Sequence, residues 1–312
     1  MIGHRAAKGM FHVASILMLL AVFSPAQAGT VVDEAGRRVF VPASPRRIVA
    51  LAPDISEILF ALGLEKEIVG VSQFSDYPPA AKAKPKVGSY VHLSLERILA
   101  LSPDLVIGTT NGNRREAVNK LEKAGLAVYV TNPQRFSDIY QTTLNLGRIT
   151  GREAAARQLV DTMKKRAERI ISLTASCPKP KVFVQIDSNP LVSVGRNTIY
   201  SELIAMAGGQ NIAAHAFGKY PRYSMESLIS EKPEVILLSS MRGKAFQKAD
   251  LVSWSRWKDI PAVRNSRIYV VNADLTDRFS PRIVQGLEEI ARILHPERME
   301  SQGQQAKSGR KK

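Results

Sequence analysis

A long segment near the middle of the chain, Arg152 to Ser176, has the apolar spacing of a single amphipathic helix. Apolar residues recur every three or four positions, and charged residues fill the opposite face. Thr150 and Glu153 have the spacing of a capping box at its start, and Pro178 and Pro180 follow its end. At about 1.5 Å per residue the helix would be roughly 37 Å long, which is enough to span two domains. A long surface helix within one domain is the alternative. The apolar stripe comprises Ala155, Ala156, Leu159, Val160, Met163, Ala167, Ile170 and Ile171.

The sequences on the two sides of this helix resemble each other. Ser94 to Ile107 and Ser224 to Leu237 share serine, glutamate, an apolar pair, proline, an acid and an apolar strand, at an offset of 130 residues. Ser56 to Gly63 matches Ser201 to Gly208 at an offset of 145 residues. This internal similarity indicates one module used twice. A chain of 312 residues is long enough for two separate cores.

Apolar strands alternate with helices in both halves, which favours parallel sheets covered on both faces. We therefore predict an α/β fold with two three-layer lobes of mainly parallel strands, joined by a single long helix. The crevice between the lobes, near the carboxyl ends of the strands, is the expected ligand site. The predicted segments are a signal peptide (1–28), an N-terminal lobe (29–150), the connecting helix (151–176), a C-terminal lobe (177–298) and a disordered basic tail (299–312).

The first residues predict export. Arg5 and Lys8 precede an apolar run from Val13 to Phe23, and Ala26-Gln27-Ala28 forms a small-residue cleavage site. We expect cleavage after Ala28 and a periplasmic mature protein. The single cysteine, Cys177, excludes an internal disulfide. Lys and Arg outnumber Asp and Glu by 44 to 28, but they are not clustered with aromatic residues, so nucleic acid is not an expected partner.

The sequence lacks the GxSxG, P-loop, GxGxxG and HExxH signatures of common enzymes. These absences count against the corresponding enzyme classes, and we predict no catalytic residues and no cofactor. One alternative is a metal ion held between the lobes by His92 and His215 with Asp274 or Asp277. A more distant alternative is an exported enzyme that uses Asp274, Asp277 and His92 as an acid–base set.

Four stretches of the sequence carry a family resemblance: Phe74 to Pro79, Leu95 to Ile98, Asn111 to Asn113 and Asp274 to Ile283. Together they resemble the cobalamin-binding periplasmic protein family of bacterial ABC importers, and the similarity runs from Arg46 to Ile293. The broader group also takes iron-siderophores and haem. The resemblance implies the class III periplasmic binding protein architecture. It further implies capture of a corrinoid such as cobalamin and delivery to an ABC permease dimer with its ATPase subunits.

The resemblance also assigns ligand contacts to three aromatic residues and one loop. Aromatic faces suit the flat ring of a macrocycle, and polar side chains suit the groups on its rim. An alternative keeps the architecture but changes the ligand to haem or a ferric siderophore, with Tyr90, Tyr220, Arg196 or Arg278 meeting carboxylates or iron. The ligand-contacting residues implied by the resemblance are Phe74, Tyr90, Tyr220, Asp274, Leu275, Thr276, Asp277 and Arg278.

Two glutamates that match in the internal repeat, Glu96 and Glu226, correspond to the family's docking glutamates. In that family they meet arginines on the paired permease subunits. Two exposed carboxylates at equivalent positions suit a partner with twofold symmetry. The alternative is that each is a first-turn glutamate, following the N-cap serine Ser94 or Ser224, that interacts favourably with the helix dipole. The two roles are compatible.

Overall fold

The computed structural model describes residues 29–239 and 251–300. The predicted signal peptide, the tail beyond residue 300 and most of a loop predicted at 239–244 lie outside the described residues. Two four-stranded parallel sheets form the centres of two α/β lobes. This arrangement confirms the predicted fold class.

The N-terminal lobe is built on the strand order β4-β3-β5-β6. Ile48 and Ile107 face one core layer beneath α1 and α5, whereas Val49 and Val106 face the other beneath α3 and α4. The strands are apolar on both faces because helices cover both sides of the sheet. The elements are β1 (Gly29–Val32), β2 (Arg38–Val41), β3 (Ile48–Ala50), α1 (Pro53–Ala61), β4 (Ile68–Val71), α2 (Pro79–Lys82), α3 (Leu95–Ala100), β5 (Leu105–Thr109), α4 (Arg115–Lys123), β6 (Val128–Thr131) and α5 (Phe136–Ile149).

The C-terminal lobe repeats this plan with the order β10-β7-β11-β12. Val184 and Leu237 face a core shared with α7 and α11, while Phe183 and Ile236 face a second layer that includes Trp254. The elements are β7 (Lys181–Gln185), β8 (Asp187–Ser188), β9 (Leu191–Val192), α7 (Ile199–Met206), β10 (Gln210–Asn211), a 3₁₀ helix (Ile212–His215), α8 (Met225–Glu231), β11 (Val235–Leu238), helical residues 251–254, α9 (Pro261–Arg264), β12 (Ile268–Val270), α10 (Ala273–Thr276) and α11 (Ile283–Leu294).

The predicted connecting helix is α6, Glu153–Thr174. Ala156 near its start belongs to the core of the N-terminal lobe, and Met163, Ala167 and Ile170 belong to the core of the C-terminal lobe. The helix therefore contributes to both interiors, as its apolar stripe predicted, although Ile171 is 42% exposed. Within the described ranges, no helix, α6 included, is both long and apolar enough to cross a membrane. The segment boundaries given above remain a prediction.

The structure corrects two predicted caps. Thr150 does not cap α6: its hydroxyl donates to the carbonyl oxygen of Leu146 at 2.6 Å, because α5 continues to Ile149 and Thr150 closes it. The residue types of Asp54 and Ser56, which follow an apolar strand, predict that one of them caps the next helix, but Pro53 already occupies the first turn of α1 and the N-cap is Ala52. Such misplacements follow when two helices, or a proline and a helix start, lie within a few residues of each other.

Candidate ligand cleft

A cleft of about 1110 Å³ lies between the two lobes. Its walls include residues that directly follow strands of both sheets: Pro53 after β3, Asn111 after β5 and Asn272 after β12. The carboxyl ends of parallel strands in both lobes therefore face one another across the cleft. This is the position at which open α/β sheets bind ligands, and it agrees with the site expected from the sequence.

The three aromatic residues singled out in the sequence all line this cleft. Phe74 and Tyr90 are on the N-terminal side, with ring centroids 5.8 Å apart in an edge-to-face arrangement. Tyr220 is on the C-terminal side and is 63% exposed. The Tyr90 ring has a defined position because Gly112 lies against it: a Cβ atom at Gly112 would be 2.4 Å from a ring carbon. The cleft thus offers aromatic surface from both lobes.

Only some residues of the loop predicted to contact the ligand line the cleft. Asp274, Asp277 and Arg278 line the cleft, but Leu275 and Thr276 are not among the lining residues. Thr276 is fully buried, and its hydroxyl lies 2.5 Å from the Tyr200 hydroxyl. Because residues 273–276 form the short helix α10, successive side chains point in different directions, and only three of the five residues predicted to contact the ligand line the cleft.

A buried hydroxyl network supports this loop from below. The Tyr200 hydroxyl, in α7, lies within hydrogen-bond distance of the Ser239 and Thr276 hydroxyls, and the Thr276 hydroxyl lies 3.5 Å from Asp277 Oδ1. Burial of Tyr200, with the Asp277 charge beside it, raises the pKa of its phenol well above the usual value. No sequence pattern marked Tyr200, because it lies within an apolar helix and its partners, Ser239 after β11 and Thr276 in α10, are distant in the sequence.

Two aspartates of the cleft have strongly perturbed pKa values. Burial raises the pKa of Asp277 to about 6, with Asp274 adding to the effect and Arg278 opposing it. Burial likewise raises the pKa of Asp54 to about 6, with the charge of Glu57 adding to the effect. The sequence interpretation considered Asp54 only as a cap, so its place in the cleft was missed.

Arg278 lines the cleft but is held by three carboxylates. Its Nη1 donates to Glu57 Oε1 and to Asp76 Oδ1, both at 2.8 Å, and its Nη2 lies 2.6 Å from Asp274 Oδ1. Glu57 and Asp76 belong to the N-terminal lobe, so Arg278 bridges the two lobes. Arg196, the other arginine proposed for an anionic ligand, donates to the Ala214 carbonyl oxygen and is not among the lining residues.

The model of one protein family, described as periplasmic binding protein, matches residues 48–275. The chain belongs to this family. Its members are substrate-binding proteins rather than enzymes. A vitamin B12-binding protein of Vibrio parahaemolyticus is 30% identical over 245 residues, which cover 78% of this chain and 87% of the relative.

Two solved structures show that relatives of this periplasmic binding protein are named for different ligands. The vitamin B12-binding protein of Vibrio cholerae has a TM-score of 0.71 at 28% identity and covers 80% of this chain and 97% of its own. A haem-binding protein of Roseiflexus sp. RS-1 has a TM-score of 0.73 at 27% identity and covers 80% and 98%. The chain is therefore about equally similar to a corrinoid-binding and a haem-binding relative. The choice between these ligands has to be argued from the side chains that line the cleft.

The two glutamates predicted to dock on a permease lie outside the cleft. Glu96 and Glu226 are exposed and occupy the first turns of α3 and α8. The predicted serine caps are confirmed, since Ser94 accepts from the Arg97 amide and Ser224 from the Ser227 amide. The local backbone and Ser224 lower the pKa of the Glu226 carboxyl. Both glutamates are therefore oriented at capped helix starts, at corresponding positions of the repeat.

The histidine-based alternatives are not supported by the geometry. His92 lines a separate recess of about 440 Å³ with Arg114 and Lys120, away from the aspartates of the cleft. His215 lies 3.6 Å from Glu231 instead. In residues 29–239 and 251–300 no group of three or more His, Cys, Asp or Glu side chains is placed to hold a metal ion. An acid–base set of His92 with Asp274 and Asp277 is not assembled.

Proposed function

We propose that this protein captures a corrinoid in the cleft between its lobes and delivers it to the membrane permease of an ABC importer with its ATPase subunits. Similarity to vitamin B12-binding proteins supports the proposal. So do the aromatic residues on both walls, because a flat macrocycle gains most of its binding free energy from burial against such faces. The predicted leader at 1–28, with predicted cleavage after Ala28, supports a periplasmic location for this activity.

One observation favours a corrinoid over haem or a ferric siderophore. Haem presents carboxylates at its rim, whereas the rim of cobalamin carries mainly neutral amides. Of the two cationic side chains among the described residues that line the cleft, Arg278 already bonds to Glu57, Asp76 and Asp274, and Lys219 donates to the Gln134 side chain. The lining also contributes the carboxyl groups of Asp54, Asp277 and Glu289. Carboxyl and hydroxyl oxygens accept hydrogen bonds from amides, and ionised carboxylates repel anionic ligands.

The direct test is titration of residues 29–312 with cyanocobalamin, cobinamide and haem, followed by calorimetry and ultraviolet-visible absorption. We expect saturable binding of at least one corrinoid. Phe74→Ala and Tyr220→Ala should each weaken it roughly 10- to 100-fold, since each removes an aromatic face buried by the ligand. Phe217→Ala is the matched control, because Phe217 is fully exposed and does not line the cleft.

Haem remains a second candidate because two tyrosines, Tyr90 and Tyr220, line the cleft, and a tyrosine phenolate can bind ferric iron. A Soret shift with haem that is lost in Tyr220→Phe, together with no response to either corrinoid, would replace the first proposal with this one. Binding of a corrinoid that is insensitive to Phe74→Ala and Tyr220→Ala would show that the ligand lies elsewhere.

A further inference from the structure

The second match of the internal repeat, which pairs Glu57 with Glu202 at an offset of 145 residues, has no part in the function proposed above. Glu57 lies in α1, the first helix after the sheet begins in the N-terminal lobe, and Glu202 lies in α7, the corresponding helix of the C-terminal lobe. Neither glutamate lines the cleft. Both side chains nevertheless bond to the opposite lobe.

Glu57 is the acceptor of a buried cluster that closes one side of the interface. Its Oε1 accepts from Arg278 at 2.8 Å and from Arg282 at 3.1 Å, and its Oε2 accepts from the Ser280 hydroxyl at 2.5 Å. The Glu57 side chain is 2% exposed. The guanidinium of Arg282 also lies 3.9 Å from the centre of the Tyr77 ring, so a second residue of the N-terminal lobe contacts the same segment.

Glu202 makes the reciprocal contact. Its Oε1 accepts from Arg135 Nε at 3.0 Å, and its Oε2 accepts from the Phe136 backbone amide at 2.6 Å. Phe136 begins α5, the last helix of the N-terminal lobe, just as Ser280 and Arg282 precede α11, the long helix near the end of the C-terminal lobe. The same offset of 145 residues relates Arg135 to Ser280. In both contacts, a glutamate of one lobe accepts hydrogen bonds from residues at or just before the start of a helix in the other lobe. The lobe that supplies the glutamate in one contact supplies the donors in the other.

We propose that Glu57 and Glu202 are a pair of positioning residues that set the width of the cleft. Each glutamate carries two oxygens that bond to separate groups on the facing lobe, which fixes both distance and orientation. Glu57 in addition holds Arg278, so it positions the loop that supplies Asp274 and Asp277 to the cleft. Two contacts on different elements resist both separation and twisting of the lobes, whereas one contact would act as a pivot.

The first readout is the distance between the lobes, which needs no ligand. Spin labels are attached at Lys123→Cys in α4 and Ser230→Cys in α8, two exposed positions, in a Cys177→Ser background, and distances are measured by pulsed electron paramagnetic resonance. We expect one narrow distribution for the parent protein. Glu57→Gln and Glu202→Gln should each broaden it at least twofold. Arg135→Ala should act in the same direction as Glu202→Gln.

Glu153→Gln is the matched control, because Glu153 also pairs with an arginine, Arg157, but within one helix. The second readout, which rests on the proposed function, is the dissociation rate of bound cobinamide; it should rise at least threefold in Glu202→Gln. If Glu57→Gln fails to fold, the proposal is tested by the Glu202 and Arg135 variants, because these side chains are 26% and 72% exposed and their replacement should not prevent folding. Unchanged distance distributions in a folded Glu202→Gln protein would overturn the proposal whether or not a corrinoid binds.

Discussion

Asp54 and Asp277 face the same cleft from opposite lobes, and both carboxyl groups are withdrawn from water. Few charged groups influence their pKa values: Glu57 and Arg278 act on Asp54, and Asp274 and Arg278 act on Asp277. Because Arg278 is shared with other carboxylates, it compensates each aspartate only in part. A ligand that donates hydrogen bonds to both groups would offset the unfavourable burial of their charges.

The raised pKa values predict how stability depends on pH. Both groups move from 3.8 to about 6 on folding, so the folded protein holds protons that the unfolded chain has released. Their stabilising contribution is complete below about pH 3.8 and is lost as the pH rises through about 6. From these two groups, the free energy of unfolding without ligand should be lower at pH 7.5 than at pH 5, by about 1.4 kcal/mol for each.

Urea unfolding at the two pH values measures this difference. Asp54→Asn and Asp277→Asn should each reduce it, and Asp161→Asn, at an exposed position of α6, should leave it unchanged. An identical pH dependence in all four proteins would contradict the assignment. The raised pKa values could not be predicted from the sequence, because each aspartate is buried partly by the opposite lobe, whose residues are more than 200 positions away.

At the scale of elements, the crossing of α5 and α6 depends on one glycine. Gly147 of α5 faces Ala156 of α6, and a Cβ atom at Gly147 would lie 2.4 Å from the Ala156 Cβ. The chain turns between the two helices in a few residues, with Gly151 in a left-handed conformation (φ 70°). The two helices therefore pack closely along their junction and have little room to separate.

Gly147→Ala tests this packing, because helix propensity predicts a more stable protein and steric overlap predicts a less stable one. Alanine is favoured over glycine inside a helix by about 1 kcal/mol, but overpacking costs about 1–3 kcal/mol. We expect a net loss of roughly 1 kcal/mol or more in the free energy of unfolding, measured in urea. Moving the methyl group to the other helix, in Gly147→Ala with Ala156→Gly, should restore most of it. A stabilised single variant would show that the helices can move apart.

The boundaries of elements were predicted well where the sequence signal is local. The apolar stripe placed α6 within two residues at each end, and Ser94 and Ser224 were recognised as caps because each precedes a helix with no competing start nearby. Thr150 was misassigned because its hydroxyl can serve either the end of one helix or the start of the next, and only the packing of α5 decides between them.

At the scale of the whole molecule, the repeat gives two equivalent exposed carboxylates, Glu96 and Glu226, which we propose as the contacts to a paired permease. Glu96→Arg with Glu226→Arg should leave corrinoid affinity unchanged and abolish uptake through the importer, since like charges would then meet at both contacts. Uptake is measured in reconstituted vesicles. Glu153→Arg with Asp161→Arg carries the same charge change on exposed positions of α6 and should support normal uptake. Lost ligand affinity in the first double variant would refute the separation of docking from binding.

The two-lobed architecture could be predicted because duplication and strand–helix alternation extend over the whole chain. The contacts between lobes could not: Glu57 and Arg278 are 221 residues apart, and nothing local marks either as a partner of the other. For the same reason the sequence assigned Arg278 to the ligand alone. In the loop after β12, Asp274, Asp277 and Arg278 line the cleft, whereas Leu275 and Thr276, in the helical turn of α10, do not.

The shared use of α6 limits how the molecule can be divided. Since Ala156 completes one interior and Met163 and Ile170 complete the other, a cut anywhere along Glu153–Thr174 leaves at least one fragment with an open apolar surface. Neither half should be obtainable as a stable protein when expressed alone. Co-expressed halves that overlap through this segment would each cover the other's exposed side chains, and the molecule should assemble from two pieces only in that form.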